Sequence, residues 1–137
     1  MITLALSKRI TASASSKVIL KYLIGVNLVL GFAFIGFSLS GNLEIALAFY
    51  WAGFAARRND YPLYAALINK QISESSVRAA VISVARQFDS FGQIAGGPLI
   101  GFIALKLSSA VALSITGLLV FPIVVLYLLI LYRKDPQ

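Results

Sequence analysis

The sequence predicts an all-α integral membrane protein with four transmembrane helices. Three observations carry that expectation. Of 137 residues, 59% are hydrophobic and only 12% charged, against roughly 25% charged residues in ordinary soluble domains. The apolar residues fall in four long runs, and the basic residues cluster between the runs. A soluble fold of this length would leave much of that apolar surface facing water, so lipid is the simpler solvent.

Lys and Arg number 12 against 5 Asp and Glu, a formal charge of +7. Most of these charges sit in short segments between apolar runs, as topology signals do, rather than on a phosphate-binding face. Nucleic acid is therefore not an expected partner. The chain has no Cys and no His, which removes disulfides, thiol chemistry, imidazole metal sites and Ser/His relays together. No metal or cofactor is expected. The opening MITLALSKRI places an apolar stub before its charges, the reverse of a secretory signal peptide, so no cleaved leader is expected.

The first span is read at residues 17–38, KVILKYLIGVNLVLGFAFIGFS, long enough at about 1.5 Å per residue to cross a hydrocarbon core of about 30 Å. Residues 1–16 form a cytoplasmic segment before it. SGN at Ser40 to Asn42 makes a tight turn. The second span, 43–71, is apolar from Ile45 to Ala56, then reads RRNDYP, then turns apolar again through LYAALI. It is either a short helix with Arg57 and Arg58 at its inner edge or one long helix that holds them at membrane depth. Pro62 does not decide between them, because neighbours can satisfy the carbonyl that a proline frees. One helix is favoured. The third span is 76–105, and the fourth, 108–132, is the most continuously apolar, with Pro122 expected to bend it. KLSS joins them.

Orientation follows from the basic residues. Lys8, Arg9, Lys17 and Lys21, then Lys70 and Arg78, then Arg133 and Lys134 fall on one side if four spans alternate, leaving Lys106 on the other. The expected location is thus the plasma (inner) membrane, with both termini cytoplasmic. A true loop at Arg57 to Tyr61 followed by another crossing would break the alternation, which favours the single second helix.

Ionisable residues at membrane depth cost roughly 2.5–3.5 kcal/mol each on insertion scales and normally face a bundle interior or a wet cavity. Arg57, Arg58, Asp60, Arg86 and Asp89 are such residues. On the third helix, 100° per residue puts Ser83, Arg86, Asp89, Ser90, Gln93 and Gly97 on one stripe and Val84, Phe88, Phe91 and Ala95 on the other side. Arg86 and Asp89, at i, i+3, are close enough to pair. Either they are a neutralised ion pair that holds helices together, or the carboxylate couples its protonation to substrate movement, or the arginine meets an anionic substrate. On the second helix Tyr50, Gly53, Arg57, Tyr61 and Tyr64 share a face, with Asp60 beside them. Tyrosines next to an arginine can line a binding cavity. Trp51 is read as packing. Gly92/Gly96 and Gly97/Gly101 are small-xxx-small spacings that admit a neighbouring backbone, and Pro98 supplies a bend.

With these residues in view, the chain resembles the last third of a major facilitator superfamily transporter. GQIAGGPLIGFIA, with Arg78 at the helix start, resembles the eleventh helix of that fold, and RRNDYPLYAALINKQI, with its mid-helix Pro62, resembles the tenth. The Gly-Pro string is also similar to the fifth-helix motif of drug/proton antiporters. The resemblance implies that the four spans are helices nine to twelve of a major-facilitator-type bundle, with Met1 to Leu6 the remnant of an eighth. It implies two six-helix halves, alternating access and substrate near the midplane. The chain would be a C-terminal fragment that works with the remaining half or another copy.

The function expected is membrane transport of a small solute by a secondary active transporter, of the drug/proton efflux type if the resemblance extends that far, with protons as coupling ion. The substrate/ion pathway is assigned to Arg57, Arg58, Asp60, Tyr61, Tyr64, Arg86, Asp89, Ser90 and Gln93. Helix packing and conformational change are assigned to Pro62, Gly92, Gly96, Gly97, Pro98 and Gly101. Two alternatives stay open: a complete four-helix transporter working as a dimer, although the first span lacks the acidic residue such transporters carry there, and a structural or regulatory membrane subunit whose charges pair with a partner's helices. No enzyme is expected, since only Asp60 and Asp89 are available at depth and nothing arranges them with a nucleophile or metal.

Overall fold

The computed structural model describes residues 15–133. The segment read as 1–16, apart from its last two residues, lies outside them, as do Lys8, Arg9 and Lys134. The described chain is all-helical, without a strand: α1 (Ser16–Leu39), α2 (Leu43–Gln71), α3 (Ser75–Lys106), α4 (Ser109–Leu118) and α5 (Phe121–Tyr132). The first three bounds fall within one residue of those read from hydropathy. The fourth run is not a bent helix but two helices, broken at Leu119 and Val120. Pro122 has no N–H to give the Leu118 carbonyl, so the ladder stops there. Val120 bonds back to Gly117 at 3.2 Å, and Val124 restarts the ladder on Val120 at 3.4 Å.

Short polar caps turn the chain between helices. Asn42 accepts from the Glu44 backbone at 2.9 Å to start α2, and Ser108 accepts from Val111 at 3.1 Å to start α4, each meeting an otherwise orphaned donor. Helix α2 is continuous through RRNDYP and Pro62.

Three helices are long and apolar enough to cross a membrane: Ser16–Leu39, Ser75–Lys106 and the run Ser109–Tyr132. Leu43–Gln71 is long enough, but Arg57, Arg58 and Asp60 crowd its middle and lower its apolar character. Four spans were expected, and three meet that standard among the described residues.

Helix α1 is the centre of the packing, touching α2, α4 and α5. Ile19 and Leu23 of α1 and Leu63 of α2 are buried together, with Val26, Tyr64, Leu67 and Tyr127 against them. Toward its other end α1 crosses α4 at two glycines. A methyl group on Gly117 would stand 2.8 Å from the Gly31 carbonyl oxygen, and one on Gly31 would stand 3.3 Å from the Gly117 carbonyl oxygen. The hydroxyls of Ser38 and Ser114 lie 2.6 Å apart across the same crossing, and Phe32 meets Phe121 edge to face at 5.5 Å. Gly36 lies against the Phe49 ring, and Gly53 faces Ala33.

Helix α3 is different, for none of its residues is buried. Its main contact is with α4, and it touches α2 thinly. The glycines assigned to helix packing, Gly92, Gly96, Gly97 and Gly101, have nothing within 4 Å of where a Cβ would stand. Their spacing permits a close neighbour, but the described residues supply none; the close approaches are made by Gly31, Gly36, Gly53 and Gly117. Neither Pro62 nor Pro98 interrupts its helix.

Gly117→Leu should therefore destabilise the chain by about 1–3 kcal/mol, the usual cost of overpacking, whereas Gly97→Leu should be neutral. Dodecyl sulfate titration of the detergent-solubilised protein, followed by Trp51 fluorescence, measures both. An equal loss at Gly97 would mean that the α3 glycine face is packed after all.

Candidate polar cleft between the second and third helices

Asp60 accepts a 2.8 Å hydrogen bond from the Asn27 side-chain amide. Asn27 is 4% exposed and is the one buried polar residue among those described. The same amide nitrogen donates to the Leu23 carbonyl at 3.0 Å, so both its hydrogens are used and its orientation is fixed. Across the cleft, Arg86 donates to the Tyr61 hydroxyl through Nε at 3.2 Å and also through Nη2. Its guanidinium carbon lies 5.3 Å from the Tyr61 ring centre. Asp89 accepts from the Gln93 amide at 3.0 Å, one turn along α3.

The ion pair that the spacing of Arg86 and Asp89 permits, one of the alternatives above, is not formed. Arg86 reaches to the neighbouring helix instead, and Asp89 takes a neutral donor on its own helix. Both carboxylates are thus met by amides and Arg86 by a hydroxyl. The Arg57 side chain makes no hydrogen bond to any described residue, although it lines the same cleft as Asp60.

Depth along the helices explains why these groups meet. Asn27 lies eleven residues from the start of α1 at Ser16, Asp60 eleven from the end of α2 at Gln71, and Arg86 eleven from the start of α3 at Ser75. With the helices alternating in direction, all three stand about 16 Å in from one end of the bundle.

The resulting cleft has a volume of about 530 Å³. It brings together Arg57, Asp60, Tyr61, Tyr64, Arg86 and Asp89 from the sequence-assigned pathway. The other three assigned residues stand apart. Arg58, next to Arg57 but turned 100° away, is exposed and lines neither this cleft nor the cavity described next. Ser90 lies in a shallow groove on another side of α3, with its hydroxyl spent on the Arg86 carbonyl at 3.0 Å. Gln93 acts on the cleft only through Asp89. Sequence reasoning missed Asn27 and Tyr127, which also line the cleft. The available signal was that each is the polar interruption of an otherwise apolar stretch.

A second cavity of about 340 Å³ lies between α1, α2 and α4, walled by Phe34, Phe37, Phe49, Tyr50 and Phe54. Arg57 and Leu30 line both spaces. The face read on the sequence as Tyr50, Gly53, Arg57, Tyr61 and Tyr64 is real, but Arg57 divides it into an aromatic half and a polar half. Trp51 stands at the outer side of the aromatic half, 62% exposed, edge to face with Tyr50 and Phe54. No group of acidic residues suited to a metal occurs among the described residues.

The comparisons assign no family. No protein-family description, curated protein or solved structure matches the chain.

The Asn27–Asp60 bond joins two helices, so its worth can be measured by a double-mutant cycle with Asn27→Ala and Asp60→Ala. A coupling of about 0.6–1.7 kcal/mol is expected, the range found for side-chain hydrogen bonds between membrane helices. Strict additivity would mean that the bond does not form in the bilayer.

Proposed function

We propose that this chain is a membrane-embedded transport segment, and that the polar cleft between α2 and α3 is where a small solute is held during its passage. The observation that carries the reading is the set of ionisable and tyrosyl side chains gathered in one cleft along the middle of two long helices. Intramembrane charges persist where they serve a wet cavity or a bound solute. A cleft of this size falls within the roughly 300–1,000 Å³ of small-molecule sites.

The resemblance to the last third of a major facilitator superfamily transporter is part of the proposal. On that reading the chain supplies helices nine to twelve, acts with a remaining half or another copy, and spans the plasma (inner) membrane with its termini in the cytoplasm. The uncovered apolar residues of α3 support it, since Phe88, Phe91 and Phe102 need lipid or a neighbouring helix to cover them. Asp60 and Asp89, which line one cleft with Arg57 and Arg86, are groups through which a coupling proton could act on solute binding.

The absence of cysteine makes the topology directly testable, because each introduced thiol is unique. Ser73→Cys, between α2 and α3, should label from the cytoplasmic side with an impermeant maleimide, and Gly41→Cys, between α1 and α2, from the other. Labelling of both from one side would defeat the proposed crossing of α2.

Transport itself is tested in proteoliposomes with a pH gradient and a panel of radiolabelled organic anions, cations and zwitterions. At least one class should accumulate. Asp60→Asn and Arg86→Gln should each lower its accumulation about tenfold or more, and Lys106→Gln, outside both cavities, should not. Absence of accumulation for every class, with the labelling pattern intact, would sink the transport reading.

A further inference from the structure

We propose that the aromatic cavity and Arg57 form one binding site for an amphipathic organic anion, with its apolar body in the cavity and its charged head on the guanidinium. Arg57 is the single charged residue lining the aromatic cavity, and it also opens onto the polar cleft. It is the one charged residue of the cleft that makes no hydrogen bond to a described side chain. Asp60, one turn away, has turned an oxygen to Asn27, Asp89 holds Gln93, and Arg86 holds Tyr61. The Arg57 side chain thus borders both spaces: its carbons line the apolar cavity, and its planar fork of five N–H donors belongs to the cleft side of that boundary.

The chemistry of both halves selects the ligand. A carboxylate or sulfonate can take two parallel hydrogen bonds from the fork, while its apolar body covers the aromatic walls. A neutral lipophile would fill the cavity but leave the guanidinium unmet. An inorganic anion would meet the guanidinium but leave the rings facing an empty space. A cation would be repelled. The volume of about 340 Å³ lies near the lower limit of ligand sites, which suits one chain or one fused-ring body rather than the two chains of a phospholipid. As the cargo of transport, this anion rests on the function proposed above; as a bound ligand it does not.

Trp51 is the only tryptophan of the chain and lies 5.9 Å from Tyr50 and 6.0 Å from Phe54, both in the cavity wall. Its fluorescence therefore reports a heavy atom placed in the cavity. The full chain in phosphatidylcholine nanodiscs is titrated with omega-brominated dodecanoate, with the matching brominated dodecanol, and with chain-brominated phosphatidylglycerol. The acid should quench Trp51 saturably. Arg57→Gln should raise its half-saturation concentration roughly tenfold or more, Lys106→Gln should leave it unchanged, and Arg57→Lys, which keeps the charge, should retain saturable quenching and so separate loss of the site from loss of the fold. Equal quenching by the alcohol, unchanged quenching in Arg57→Gln, or saturable quenching by the phospholipid alone would each overturn the inference. If quenching behaves as expected while proteoliposomes carry nothing, the ligand site stands and the transport reading fails. The reverse result sinks the ligand site alone.

Discussion

A carboxylate in the middle of a long helix, in a chain this apolar, has to be met by a donor, and in this protein Asp60 is met by Asn27. The consequences reach outward from that bond. Asn27 is buried and uses both amide hydrogens, one on its own helix and one on Asp60, so the rotation of α1 is fixed relative to α2. With α1 so placed, Leu23 and Leu63 come together in the buried cluster. The opposite end of α1 is then free to cross α4 through Gly31 and Gly117, where backbone meets backbone. A buried polar bond fixes register and a glycine crossing fixes distance, and neither needs a large apolar core.

The polar groups of the cleft avoid direct ion pairs. Each carboxylate takes an amide and Arg86 takes a hydroxyl. Neutral partners satisfy hydrogen-bonding geometry while leaving charge in place. A pair such as Arg86 with Asp89 would have cancelled the field of the cleft and repaid part of its desolvation cost. What exists instead is a cleft with two cationic and two anionic side chains whose fields remain available to a third party. Such an arrangement is costly for stability alone, a cost that a bound solute would offset on the function proposed above. This is why the cleft weighs more heavily for function than any single residue in it.

The first three helices were legible because long apolar runs and turn residues leave few alternatives, and α2 was read as one helix because alternation of basic ends favoured it; the break before Pro122 was read only as a bend. The cleft was legible in part. Arg57, Asp60, Tyr61, Tyr64, Arg86 and Asp89 stand out as polar residues where lipid-facing ones are expected. Partners were harder to read. Arg86 and Asp89 lie at a spacing that permits pairing, but the choice between Asp89 and Tyr61 depends on where α2 stands, which spacing along α3 does not encode. Asn27 was missed because one amide in an apolar run has no period. The glycines failed for a related reason: the Gly92/Gly96 and Gly97/Gly101 spacings describe one surface, while close packing needs two. Gly31 and Gly117 lie in different helices and match no single-helix motif, yet theirs are the backbones that touch.

The two walls of the cleft are unequally held. Helix α2 is fixed by the Asn27 bond and by the packing of Leu63, Tyr64 and Leu67 against α1 and α5. Helix α3 supplies Arg86 and Asp89 but buries none of its residues. Its links to the rest are a short connection at each end, contact along α4, and the Arg86–Tyr61 hydrogen bonds across the cleft. The cleft is therefore bounded on one side by a packed helix and on the other by a helix held by α4, by its two connections and by a polar contact between side chains that also line the cleft. A solute that competes for Arg86 or for the Tyr61 hydroxyl acts on the same contact that holds α3 in place. On the function proposed above, occupation of the cleft would thus be linked to the position of α3 through that pair of residues, the kind of coupling that a moving wall requires.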